Sequence, residues 1–279
     1  MAGVSQYIKL LSALMKNGRS LMCPFCGAYT ISINNQGICH ICENVISSDR
    51  AALMKNESSL CASLDDYNKG IAGSDFDSAL KTYDSILAKY PTPNYTYVKA
   101  LTYISYSNFE LSKIRYDLPG FMEENSVHRE AASKLFSSAR LFFNKAIFDA
   151  EKVASQPSDQ HTYNLDYIMF LSAIKLGDLA GAKSYLNMLK SSGNPYLSAY
   201  AEIVFDSNVG DFKALLSAVD SMLKSKNFPI SIFYYASYAL LKLGKHDDSE
   251  KLSRALGKTI GGNTIASLNA YANILKQLK

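Results

Sequence analysis

Along most of the chain apolar residues recur at i, i+3, i+4 and i+7 with polar residues between them. This is the pattern of helices that bury one stripe and solvate the other. It begins at once, with Val4, Ile8, Leu11 and Met15 forming an apolar stripe on a short amino-terminal helix. It breaks over residues 20–48, where Tyr29, Ile31 and Ile33 alternate with Thr30 and Ser32, and Asn34-Asn35-Gln36-Gly37 supplies turn residues. That segment predicts a β-hairpin. After residue 48 the helical pattern resumes. Only 15 Gly and 7 Pro in 279 residues leave too few tight turns for a sandwich or barrel, so a mainly α chain is expected.

The helical part repeats with a period near 34 residues. Gly177, Gly210 and Gly244 stand 33 and 34 residues apart, each between two apolar helical runs, and Ser74 lies 103 residues before Gly177, close to three further periods. Each unit reads as helix, short turn, helix. The register is lost from about 108 to 160: residues 109–127 read as an insertion or loop, followed by one long helix from about Ser126 to Ala154. Its stripe includes Ala132, Leu135, Phe136, Ala139, Phe142, Phe143, Ala146 and Ile147.

The first unit runs Asp75-Phe76-Asp77-Ser78-Ala79-Leu80, then Tyr83, Ile86, Leu87 and Lys89-Tyr90-Pro91. It resembles the second helix of a tetratricopeptide repeat. Ala79, Tyr83 and Pro91 occupy the places of that family's small residue, its inter-repeat aromatic and its helix-ending proline. Asp178 and Ala182 match in the unit of Gly177, where Leu186 replaces the aromatic; the unit of Gly244 has Ser249, and that of Gly210 has Leu215 where a small residue is expected. The resemblance covers most of residues 60–260 and implies a curved solenoid whose concave groove holds a peptide or partner helix.

Five cysteines occur at 23, 26, 39, 42 and 61, the first four as two Cys-x2-Cys pairs. Two thiolates three positions apart grip one metal from a single tight turn, and a second such turn completes a tetrahedron. The first pair, Cys23-Pro24-Phe25-Cys26-Gly27, resembles the knuckle of zinc ribbons and rubredoxins; the second, Cys39-His40-Ile41-Cys42-Glu43, lacks both Pro and Gly. The resemblance implies a four-cysteine zinc ribbon whose hairpin links the two knuckles, with Cys23, Cys26, Cys39 and Cys42 as ligands of a structural Zn2+. Four thiolates leave no open coordination position for a catalytic water. A disulfide framework and an iron-based redox site are the alternatives. Cys61 sits in a helical pattern and reads as core packing.

Tyr167, Tyr200 and Tyr234 each lie ten residues before the turn glycine of their unit, so they are expected to stack along one surface. In tetratricopeptide arrays that position faces the groove. Tyr238, one turn after Tyr234, and Lys175 and Lys242, each two before a turn glycine, are expected to flank it as the partner-binding groove. The competing expectation is that these tyrosines pack between helices.

Charge and motifs then narrow the function. Net charge is +4, divided as +2 over residues 1–50, -4 over 51–212 and +6 over 213–279. Catalytic and nucleotide-binding motifs such as Gly-x4-Gly-Lys-Ser/Thr, His-Glu-x2-His and Gly-x-Ser-x-Gly are absent, and no catalytic residue is assigned. No apolar run spans a bilayer, and the first 20 residues carry polar breaks where a secretory run would sit, so a cytoplasmic protein with no membrane partner is expected.

The expected organisation is an amphipathic helix over 1–19, a zinc ribbon over 20–48 and a tetratricopeptide-like helical-repeat domain over 49–279, irregular at 108–160. The expected function is a non-enzymatic scaffold or adaptor for a protein partner or peptide, with the ribbon as a second docking module. The second reading is a nucleic-acid-associated transcription or ribosome factor using the ribbon and the basic carboxyl-terminal helices. The hairpin between Cys26 and Cys39 carries no Lys or Arg to contact phosphate, which argues against that reading.

Overall fold

The computed structural model describes residues 3–17, 19–23, 29–32, 36–39, 43–47, 57–114, 122–155, 162–192, 194–224 and 228–260. These residues are mainly α. Helix α1 (Val4–Asn17) is followed by four short strands, β1 (Arg19–Met22), β2 (Tyr29–Ser32), β3 (Gln36–Ile38) and β4 (Val45–Ser47). Ten further described helices follow in five pairs. They are α2 (Ser58–Ala72) with α3 (Phe76–Lys89), α4 (Pro93–Ser112) with α5 (Met122–Ala154), α6 (Thr162–Leu176) with α7 (Leu179–Ser191), α8 (Pro195–Val209) with α9 (Phe212–Leu223), and α10 (Ile232–Lys242) with α11 (His246–Ile260). From α2 onward each helix packs on the next, and α4, α6, α8 and α10 also touch one another in that order. Serial packing of helix pairs with an inner row of first helices is a helical-repeat arrangement.

The turn inside four of the five pairs follows one local rule. Ser74, Gly177, Gly210 and Gly244 have φ of 59°, 77°, 84° and 75°, the left-handed region where only glycine is free of strain. In each, the next residue's N–H reaches back to close the preceding helix: Asp75 to the Gly70 carbonyl at 2.8 Å, Asp178 to Ala173 at 3.0 Å, Asp211 to Asp206 at 3.0 Å and Lys245 to Leu240 at 2.9 Å. In the first three that residue is an aspartate that also caps the following helix. Its carboxylate accepts from the N–H of Ser78, Gly181 or Ala214 at 3.2, 2.9 and 3.0 Å. One dipeptide thus ends one helix and starts the next.

The remaining pair departs from the expected period. Helix α4 has 20 residues and α5 has 33, so the 103 residues between Ser74 and Gly177 hold one oversized pair. That is two steps of the repeat, not three. The interruption is also shorter than the expected 109–127, because α4 continues to Ser112 and α5 starts at Met122. Of the expected α5 stripe, Ala132, Ala139, Phe143 and Ala146 are buried, but Phe136 is exposed. A mostly alanine stripe lets α4 approach closely, and Ser107 Oγ donates to the Ala132 carbonyl at 2.9 Å.

The inner helices are buried almost all round, residues 93–100 of α4 and 166–174 of α6 without a break. The outer helices bury one stripe each: Ala182, Leu186 and Leu189 on α7, and Leu215, Leu216, Val219 and Met222 on α9. The positions expected to be small, Ala79, Ala182, Leu215 and Ser249, are all buried. Ser249 is accommodated by hydrogen bonding with Ser237, whose Oγ also lies 2.6 Å from Ser253 Oγ.

The amino-terminal elements differ from expectation in two respects. Strand β1 pairs antiparallel with β2, and β3 with β4, as two separate two-stranded sheets. The expected single hairpin between Cys26 and Cys39 would have paired β2 with β3. Instead each strand finds its partner across its own Cys-x2-Cys segment, with Met22 opposite Tyr29 and Ile38 opposite Val45. On α1 the buried stripe is Val4, Tyr7, Leu11 and Leu14, with Ile8 only half-buried. Tyr7 leads because its ring and hydroxyl both find partners in the repeat.

Candidate functional site

Just before β4 one acidic side chain reaches the inner row of helices. The Cys39 N–H donates to the Asn44 carbonyl at 2.8 Å, and the Glu43 N–H to the Cys39 carbonyl at 2.9 Å. Glu43 adopts φ 57°, so the turn holds a non-glycine residue in the left-handed region. Its carboxylate then meets α10: Tyr235 Oη donates to Glu43 Oε1 at 2.7 Å. Glu43 Oε2 is also buried and has no hydrogen-bond partner among the described residues.

Behind this contact two tyrosines from neighbouring inner helices meet. The Tyr235 ring meets Tyr200 of α8 edge-on at 6.0 Å, and Tyr200 Oη donates to Ser231 Oγ at 2.8 Å. Tyr167 of α6 is buried and stacks on Phe170 of its own helix at 6.2 Å. Burial, and after it the Glu43 charge, pushes the Tyr200 and Tyr235 hydroxyls well above the usual phenol range. Both therefore stay protonated as hydrogen-bond donors, which is the complement a carboxylate requires.

A second contact of the same chemistry pins α1. Tyr7 Oη donates to Asp220 Oδ1 of α9 at 2.7 Å, and the Tyr7 ring meets Phe233 edge-on at 6.2 Å. Burial, followed by the hydrogen bond to Asp220 and its charge, raises the Tyr7 hydroxyl too. Residues 213 and 192 positions apart in sequence are thus joined by two tyrosine–carboxylate bonds. Val4, Tyr7, Leu11, Ile38 and Ile46 belong to the same buried apolar cluster as the repeat.

The expected groove residues do not assemble as one open surface. Tyr167 and Tyr200 are buried at 1% and 0% exposure, Tyr234 is half-buried, and the residue that joins the cluster from α10 is Tyr235. Successive residues on a helix are turned by about 100°, so a shift of one residue selects a different face. Tyr238 is half-buried and meets Phe212 edge-on at 5.6 Å, with Lys242 Nζ 5.5 Å from its ring centre. Lys175 and Lys242 are both exposed.

Tyr235 and Glu43 were not legible as site residues. The available signal was the second knuckle's Glu43 in the place where the first has Gly27.

Cys23 and Cys39 are both buried, each at the end of a strand. Cys26, His40 and Cys42 lie outside the described residues, and among the described residues no group of three or more His, Cys, Asp or Glu side chains could hold a metal ion. Cys61 is half-buried against the core. No described helix is long and apolar enough to cross a membrane. Compared with known protein families, with curated proteins and with solved structures, the chain matches none.

Proposed function

We propose that the chain is a non-enzymatic interaction scaffold in which a tetratricopeptide-like repeat holds a protein partner or peptide. The observation that carries this reading is the inner row of α4, α6, α8 and α10, two of which bring Tyr200 and Tyr235 into edge-on contact. Large, stiff rings supply contact area at low entropic cost, and their hydroxyls supply directional donors. The cysteine-bearing segment acts as a second docking module. Cys23, Cys26, Cys39 and Cys42 would hold a structural Zn2+ there. The buried placement of Cys23 and Cys39 at the ends of successive strand pairs supports this, as does the shortness of a segment with little core of its own. Zinc bound to four thiolates would supply folding energy and no reaction.

The test is an affinity capture from native lysate at moderate salt, with and without nuclease. It compares the intact chain with a Tyr167→Phe, Tyr200→Phe, Tyr235→Phe variant that removes the hydroxyls and keeps the packing. The scaffold reading predicts a nuclease-resistant protein partner that the variant loses. Recovery that depends on nucleic acid and ignores the tyrosines would overturn it. Elemental analysis of the purified chain tests the metal, with one zinc per chain expected and its loss expected in Cys39→Ser.

A further inference from the structure

One side of α4 holds lysines between rings and carboxylates. Lys99, Tyr103, Tyr106, Glu110 and Lys113 follow one another at i, i+4, i+7, i+11 and i+14, so they lie along one face of the helix. Lys99 Nζ lies 4.2 Å from the centre of the Phe142 ring of α5 and pairs with Asp84 of α3. At the other end Lys113 Nζ lies 4.4 Å from the centre of the Phe109 ring and 2.6 Å from Glu110 Oε1, while His128 of α5 meets Glu110 Oε2 at 2.8 Å. Each ammonium thus has a ring on one side and a carboxylate on the other. Between the two stands a third ring and carboxylate. The Tyr106 ring stacks on Phe76 of α3 at 5.0 Å, and its hydroxyl donates to Asp77 Oδ2 at 3.4 Å. Tyr106 is half-buried and Asp77 is exposed, and among the described residues no lysine or arginine completes this pair. Burial, followed by the charge of Asp77 and then those of Glu110 and Asp75, raises the Tyr106 hydroxyl.

We propose that Tyr106 and Asp77 form the docking point for a lysine- or arginine-bearing segment of the protein partner, whose cation completes the third ring–carboxylate pair on α4. The inference rests on the scaffold reading and adds the chemistry of its partner. The cation meets the face of the Tyr106 ring turned away from Phe76 and pairs with Asp77, as Lys99 and Lys113 do at their own rings and carboxylates. An anion fits poorly. A phosphate or an acidic side chain placed here would meet Asp77 and Asp75, and Lys113 is already bound to Glu110.

The probe is a blocked hexalysine peptide, titrated by calorimetry against the full-length chain at physiological ionic strength, with circular dichroism confirming equal helix content in each variant. We expect Asp77→Asn and Tyr106→Leu each to bind the peptide about fivefold more weakly than the unmodified chain. Asp247→Asn, an equal change of charge at an exposed position on α11, should leave the affinity unchanged. Unchanged binding in Asp77→Asn would overturn the proposal, as would no binding by the unmodified chain or an equal loss in Asp247→Asn. If the peptide result fails while the triple tyrosine variant still loses its lysate partner, the scaffold reading stands and the cation site falls. If both fail, the scaffold reading falls with it.

Discussion

Two kinds of joint hold this molecule together, and they differ in how far apart in sequence their parts lie. Inside three of the five described helix pairs, a left-handed residue and a following aspartate end one helix and begin the next within a few positions of chain. Between the amino-terminal elements and the repeat, Tyr7 meets Asp220 and Glu43 meets Tyr235 across 213 and 192 positions of chain. The first kind is built from backbone rules that any stretch of sequence displays. The second depends on which faces the completed repeat presents, so it exists only once the rest has folded.

The difference makes distinct demands on substitution. The largest effect is expected in the cluster on which the distant joint rests. Tyr200→Ala removes a fully buried ring and should cost about 3–5 kcal/mol in urea unfolding, whereas Tyr200→Phe should cost only about 1 kcal/mol for the lost bond to Ser231. A smaller effect is expected at the local joint. Gly177→Ala meets nothing within 4 Å, so its expected cost of about 1–2 kcal/mol is purely that of a left-handed alanine. Smaller again, Asp211→Ala should cost about 1 kcal/mol through the lost cap on α9. If Asp211→Ala destabilises more than Tyr200→Ala, the ranking of the two joints is reversed.

Alkali sharpens the same comparison. Tyr7, Tyr200 and Tyr235 hold their protons more tightly in the folded chain, chiefly because they are buried, than at the usual value of 10.0. The stability they contribute is complete below that value and is lost as the pH climbs from it towards their raised folded values. Phenolate absorbance should therefore rise in two stages, exposed tyrosines first and the buried set only together with loss of the helical signal. A single smooth titration of all tyrosines with the helices intact would contradict the buried cluster.

Legibility in the sequence follows the same division. The glycine turns were visible because left-handed backbone selects Gly at intervals of 33 and 34. Ser74 fitted the series only by spacing, yet it adopts the same conformation. The interval before Gly177 misled because lengthening α4 and α5 consumes residues without adding a pair, and a period measured in residues cannot distinguish the two. The tyrosine series expected Tyr167, Tyr200 and Tyr234 along one surface, but the first two are buried and on α10 it is Tyr235 that meets Tyr200, since a one-residue offset turns the face by about 100° and only tertiary packing fixes it. Glu43 had no mark beyond standing where the second knuckle lacks Gly, and its partner 192 positions away had none.

The contact of Glu43 with Tyr235 holds the strand pair β3 and β4 against the repeat. It is tested most directly by a double-mutant cycle in urea unfolding with Glu43→Ala, Tyr235→Phe and the pair. A hydrogen bond to a half-buried charged carboxylate predicts a coupling energy of about 1.5–3 kcal/mol. Strictly additive single effects, with no coupling between the two positions, would contradict the account.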